Sequence, residues 1–271
     1  MLKRLLVMIA ALGLALVALA PVAHAQDGAR IHLLHGIPDT DVDVAVGGEV
    51  AFPGFVFGDT LDLSDFAGQT LEGVQVLLAG TEDVAIDVGD LAVPASGNYT
   101  VIAHLDAEGA PTVSVFENDT SSLDAGNGRL TVRHTAAAPA VDVLANGEVA
   151  FSNLANGEEQ AADLAAGTIS AEVVPSGATE PVVIGPADLP VADGQSLIVY
   201  AVGSLDAGVD VLTETIDGLG SAPTAVETGT SPVSTQGDSS SGTLALVLAV
   251  GAAAAVVALG ARRVAVARVG R

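Results

Sequence analysis

Two stretches decide the fold. Arg30 to Phe52 reads RIHLLHGIPDTDVDVAVGGEVAF, and Arg129 to Phe151 reads RLTVRHTAAAPAVDVLANGEVAF. At a constant offset of 99 and with no gap, ten of these 23 positions are identical. The identities pair Arg30 with Arg129, His35 with His134 and Asp43 with Asp142, and Gly48-Glu49-Val50-Ala51-Phe52 with Gly147-Glu148-Val149-Ala150-Phe151. Self-similarity over such a length marks a duplicated structural unit. Farther along, Ala67-Gly68 answers Ala166-Gly167, and Tyr99 to Ala103 falls where Leu197 to Ala201 falls. The spacing predicts two copies, residues 26–120 and 128–217, joined by Asp119–Gly128.

Each copy has the period of strands. Ile31, Leu33 and His35 alternate with His32 and Leu34, while Val42, Val44 and Val46 alternate with Asp43 and Ala45. Gly47-Gly48 and Asn146-Gly147 then interrupt the apolar runs. Such pairs suit a two-residue hairpin turn, in which both central residues need positive φ. Val74 to Leu78, Tyr99 to Ala103 and Val113 to Phe116 supply further strands between Gly, Pro and Asp. No convincing helical period occurs between the two ends. The expected architecture is all-β: two tandem antiparallel β-sandwiches, immunoglobulin-like in outline, plus one C-terminal transmembrane helix.

Residues 1–25 have the charged start, apolar run and Ala23-His24-Ala25 site of a secretory signal peptide. Residues 221–242 are rich in Ser, Thr, Gly and Pro and read as a disordered stalk. Residues 243–261 hold no charge, and at ~1.5 Å per residue they span nearly a bilayer core of ~30 Å. Arg262, Arg263, Arg268 and Arg271 in the tail 262–271 favour the cytoplasmic side. The expected placement is therefore the cell membrane, single-pass and type I, with the bulk outside.

Charge sets the company this bulk can keep. Residues 26–240 carry all 33 acidic residues and only Arg30, Arg129 and Arg133 as cations besides histidine. Such a surface repels nucleic acid and stays soluble in salt. There is no cysteine, so no thiol chemistry and no disulfide framework. Stability must come from burying Val, Ile, Leu and Ala.

The arrangement Arg-x-x-x-x-His followed by APAVDVLANG (138–147), with PSGATEPVV (175–183) and SLIVYAVG (196–203), resembles the bacterial domain-of-unknown-function family 4397. The resemblance covers about 30–217 and is stronger in the second copy. The first copy has GIPDTDVDV where the family favours a Ser-Pro-Asp-Ala-Pro loop. It implies two tandem copies behind a signal peptide, in an envelope or secreted protein. It implies no activity.

Catalytic signatures are missing. No G-x-S-x-G elbow accompanies the absent cysteine, and the histidines have no zinc-ligand spacing. The repeat signature Arg30, His35, Asp43, Gly48, Arg129, His134, Asp142 and Gly147 reads as structural, because strand parity sends His35 and Asp43 to opposite faces. Asp39, Asp41 and Asp43 open like an EF-hand loop but lack its glycine and its closing glutamate. The ordinary reading there is a solvated acidic turn, with a loop-bound calcium as the alternative. No other cofactor is expected. The functional expectation is a non-catalytic surface binding or structural module, meeting an envelope protein or glycan and held to the membrane by the C-terminal helix. The alternatives are a carboxylate-dependent glycan-active enzyme and a passive salt-tolerant envelope spacer.

Overall fold

The computed structural model describes residues 28–220 of the 271-residue chain. The expected signal peptide, stalk, membrane helix and basic tail lie outside the described residues. Among those described, no helix is long and apolar enough to cross a membrane.

The fold is all-β, and its strands fall into two sandwich units of the same plan. In unit 1 these are β1 (Arg30–His35), β2 (Val42–Val46), β3 (Glu49–Phe55), β4 (Thr60–Asp62), β5 (Thr70–Leu78), β6 (Val84–Ala92), β7 (Asn98–Leu105) and β8 (Pro111–Glu117). A single 3-10 turn, Ser64–Phe66, follows β4. In unit 2 they are β9 (Asn127–His134), β10 (Val141–Ala145), β11 (Glu148–Leu154), β12 (Glu159–Ala165), β13 (Gly167–Pro175), β14 (Ile184–Val191), β15 (Gln195–Ser204) and β16 (Gly208–Asp217). Unit 1 stacks the sheet β4-β1-β7-β8 on β3-β2-β5-β6; unit 2 repeats this as β12-β9-β15-β16 on β11-β10-β13-β14.

The turns follow from the residues that make them. Gly47 and Gly48 have φ of 62° and 83°, and Asn146 and Gly147 have 52° and 83°. Both central residues are left-handed, so each hairpin closes with a twist that matches its strands. The register then places Val42 opposite Phe55 and Val44 opposite Phe52; in unit 2, Val141 opposes Leu154 and Val143 opposes Phe151.

One expectation is corrected. The sheets are not purely antiparallel, since β1 pairs parallel with β7 and β9 parallel with β15. In each unit the first sheet takes the fourth strand antiparallel on one side of the first and, after a further crossover, the seventh strand parallel on the other side. Nothing in local strand periodicity reports that crossover.

The two units pack through the outer faces of their β1–β7 and β9–β15 pairs. Leu34, Ile102 and Phe116 of unit 1 meet Ile198, Tyr200, Val202 and Leu212 of unit 2 in one buried cluster. This explains why both faces of β7 and β15 are buried, where a half-buried strand shows alternation. Ile102 and Val202 are each fully covered, a burial worth about 1.5–3 kcal/mol per side chain.

Candidate functional site

The repeat signature closes loops. His35 Nε2 donates to the Thr40 carbonyl at 2.6 Å while its Nδ1 faces the Ile37 amide at 3.5 Å. His134 does the same with Pro139 at 3.0 Å and Ala136 at 3.4 Å. Each imidazole thus tethers the loop after the first strand of its unit. Burial pulls both below the usual histidine value, more than the backbone hydrogen bonds raise them.

Asp43 and Asp142 fasten two loops at once. Asp43 Oδ1 accepts from the Gly54 amide at 2.7 Å and Oδ2 from Gly80 at 2.9 Å. Asp142 accepts from Asn153 at 2.7 Å and Gly177 at 2.8 Å. All four donors belong to residues with positive φ, Asn153 included. These backbone amides hold both carboxylates below the usual range. Asp142→Ala leaves two amides of tight turns without their acceptor. The expected result is a melting temperature lower by about 5 °C, checked by calorimetry beside Glu148→Ala on the exposed hairpin.

With both oxygens of Asp43 engaged, Asp39 and Asp41 remain as exposed neighbours. Among the described residues no group of three or more His, Asp or Glu side chains converges as metal ligands do. The paired arginines differ in role. Arg30 is exposed at the start of β1, whereas Arg129 grips Asp163 through two bonds of 2.7 and 3.1 Å and reaches Asp119 of the connection at 2.8 Å.

The densest polar constellation lies between the units. The Arg133 side chain is completely buried. Its Nε donates to Glu159 at 2.7 Å, and its two terminal nitrogens donate to the Tyr200 hydroxyl at 2.6 Å and to Asn118 Oδ1 at 2.7 Å. The guanidinium lies 4.4 Å from the centre of the Phe116 ring, a cation–π contact from one unit to the other. Glu214 completes the network. It accepts from His32 Nδ1 at 2.7 Å, the Thr100 hydroxyl at 2.8 Å and the Tyr200 hydroxyl at 2.9 Å. Asn118 Nδ2 donates onward to Asn98 and Thr100. Among the described residues no buried side-chain nitrogen or oxygen lacks a partner.

Sequence reading missed this seam because it lies where the two copies disagree. By strand register, Arg133 and Tyr200 of unit 2 replace Leu34 and Ile102 of unit 1. Likewise the pair Ile198 and Glu214 replaces Thr100 and Phe116. The signal was present: Arg133, Tyr200 and Glu214 interrupt apolar strands at positions facing away from their own core.

The seam titrates against the rest of the protein. Its hydrogen bond to Glu214 raises the His32 value, outweighing burial. Burial would raise Glu214, but its three donors bring it below the usual range. A raised histidine gives stability that is complete below its ordinary value of 6.5 and is lost as pH climbs through the raised one. His35, His104 and His134 are buried and lowered, so they act oppositely and destabilise on acidification below 6.5. The informative quantity is therefore the difference between the native chain and His32→Gln. The stability increment should be largest below pH 6.5 and decay at alkaline pH, followed as urea midpoints across that range.

These observations define a class: a protein of two β-sandwich units with the same strand order, whose shared polar residues hold loops and whose unshared ones hold the units together. Residues 29–143 match the family described as Domain of unknown function (DUF4397). This single match takes in unit 1 and the opening of unit 2, rather than the second copy, where the resemblance looked stronger. Strand order is shared by the two units, but one family match is found and not the two tandem copies that the resemblance implies. No curated protein sequence matches the chain.

Proposed function

We propose that the chain is a non-catalytic binding or structural head, displayed outside the cell on a stalk anchored by residues 243–261. Unit 2 is read as a second, diverged copy of the family matched by unit 1. The observation that carries the reading is where the buried polar chemistry goes. His35, Asp43, His134 and Asp142 are consumed in loop tethers, and Arg133, Tyr200 and Glu214 in the seam. A catalytic group needs hydrogen-bonding capacity left over for a substrate. A display head needs a fixed shape, which both sets supply. The partner is an envelope protein or a glycan, met through loops and sheet edges.

Protease treatment of intact cells tests the display. The expected result is cleavage within residues 221–242, releasing residues 28–220 as one resistant fragment. Protection until the cells are lysed would overturn the proposed placement, and turnover of an envelope glycan by the full chain would overturn the non-catalytic reading.

A further inference from the structure

The two units provide an internal control for how well such a sandwich can close. Five equivalent core positions are better covered in unit 2, whereas Val74 and Val76 of unit 1 are better covered than their counterparts Ala171 and Val173. Val132, Phe151, Leu154, Ile169 and Leu189 of unit 2 are 5, 4, 0, 6 and 9% exposed. Their unit 1 counterparts, Leu33, Phe52, Phe55, Leu71 and Leu91, are all only half-buried. The equivalences rest on register: Val44 with Phe52 and Leu71 with Leu91 in unit 1, Val143 with Phe151 and Ile169 with Leu189 in unit 2. A local cause is visible at the edge. Unit 2 covers its sandwich with β12, seven residues long, whereas β4 in unit 1 has three and ends in the 3-10 turn.

Between the sheets of unit 1 this leaves a cavity of about 40 Å³, and every residue lining it is apolar. Leu33, Phe55, Leu91 and Val113 stand on opposite sides of it. Natural interiors rarely keep such a void, and one without polar partners does not hold ordered water.

We propose that this cleft is a binding site for the end of a single alkyl chain whose head group is neutral or cationic. A void of this size with an apolar lining takes the last carbons of a polymethylene chain and excludes a ring system with polar substituents. With no donor or acceptor in the lining, the head must stay outside, at the surface of unit 1. There, residues 28–120 carry sixteen acidic side chains against Arg30 alone. A carboxylate or phosphate head meets a repulsive field, while an ammonium is drawn in. The site deepens the reading of the chain as a binding head by naming a ligand class.

The chain has no tryptophan, so an introduced one is a unique reporter. Val113→Trp puts it in the cleft, and Val211→Trp puts it at the equivalent place in unit 2, since Val113 opposes Ala103 as Val211 opposes Ala201. The probes are bromo-octylamine, bromo-octanol and bromo-octanoate, added to the full chain. Saturable quenching is expected in V113W alone, with the amine about tenfold tighter than the carboxylate at low salt and the gap closing as salt is added. Equal quenching in V211W, or a carboxylate as tight as the amine, would each overturn the proposal. If V113W fails to fold by circular dichroism, or shows no saturation because the indole itself fills the void, titration calorimetry of octylamine into the unaltered chain decides: saturable heat supports the site and none overturns it. An empty cleft would leave the cell-surface protease result untouched, so the two readings fail separately.

Discussion

Arg133→Ala should cost about 3–5 kcal/mol, because it leaves two buried acceptors short of a donor and opens a void where the guanidinium packed. The substitution removes hydrogen bonds to Glu159, Tyr200 and Asn118 at 2.6–2.7 Å and the cation–π contact with Phe116. Glu159 is 36% exposed and can rehydrate, so its pairing accounts for little of the loss. Most of the cost arises at Tyr200 and Asn118, which are 0 and 4% exposed and have no water to turn to. Two companions separate these contributions. Glu159→Gln should cost under about 1 kcal/mol. Arg133→Lys keeps the charge but not the planar fork that reaches three acceptors, so it should recover only part of the stability. Urea unfolding of the three variants checks the order.

Phe151→Ala should cost about 3–5 kcal/mol, whereas Phe52→Ala at the matching position should cost about half as much. The chemistry deleted is identical and the strand register is the same. What differs is the surroundings. Phe151 is 4% exposed within the closed core of unit 2, so its removal opens a void that neighbours cannot fill. Phe52 is half-buried and already borders the unit 1 cleft, so it has fewer contacts to lose. Denaturant midpoints of the paired variants measure the contrast. Equal costs would mean that unit 1 closes as tightly in solution as unit 2.

What the sequence made legible was whatever the two copies share. Gly48 and Gly147 announced the hairpins, because positive φ leaves few residues to choose from. The alternation around Val42–Val46 and Val141–Ala145 announced strands of a two-layer fold. Face parity and retention in both copies pointed His35 and Asp43 away from a shared dyad, whereas their partners, the Thr40 carbonyl and the Gly54 and Gly80 amides, required coordinates. The parallel pairing of β1 with β7 was out of reach, since it joins residues nearly seventy apart through the path of the chain. The seam was hidden for a different reason. Arg133, Tyr200 and Glu214 have no counterpart at Leu34, Ile102 and Phe116, and a search for agreement between copies discards such positions. Across the contact Arg133 meets Asn118 and Phe116 of unit 1, and Glu214 meets His32 and Thr100, so the seam is built on residues that differ between the units. The half-open core of unit 1 was equally silent: Leu33, Phe52 and Leu91 look as apolar in sequence as the buried residues that replace them in unit 2.

The coupling of the two units into one body can be measured directly as a distance. The chain contains no cysteine, so Glu49→Cys and Glu148→Cys together attach one spin label to the exposed hairpin of each unit. Electron–electron resonance should give a single narrow distance distribution in the native background, broadening when Arg133→Ala is added. A broad distribution in the native background would mean that the units move independently and that the seam does not set the shape of the head.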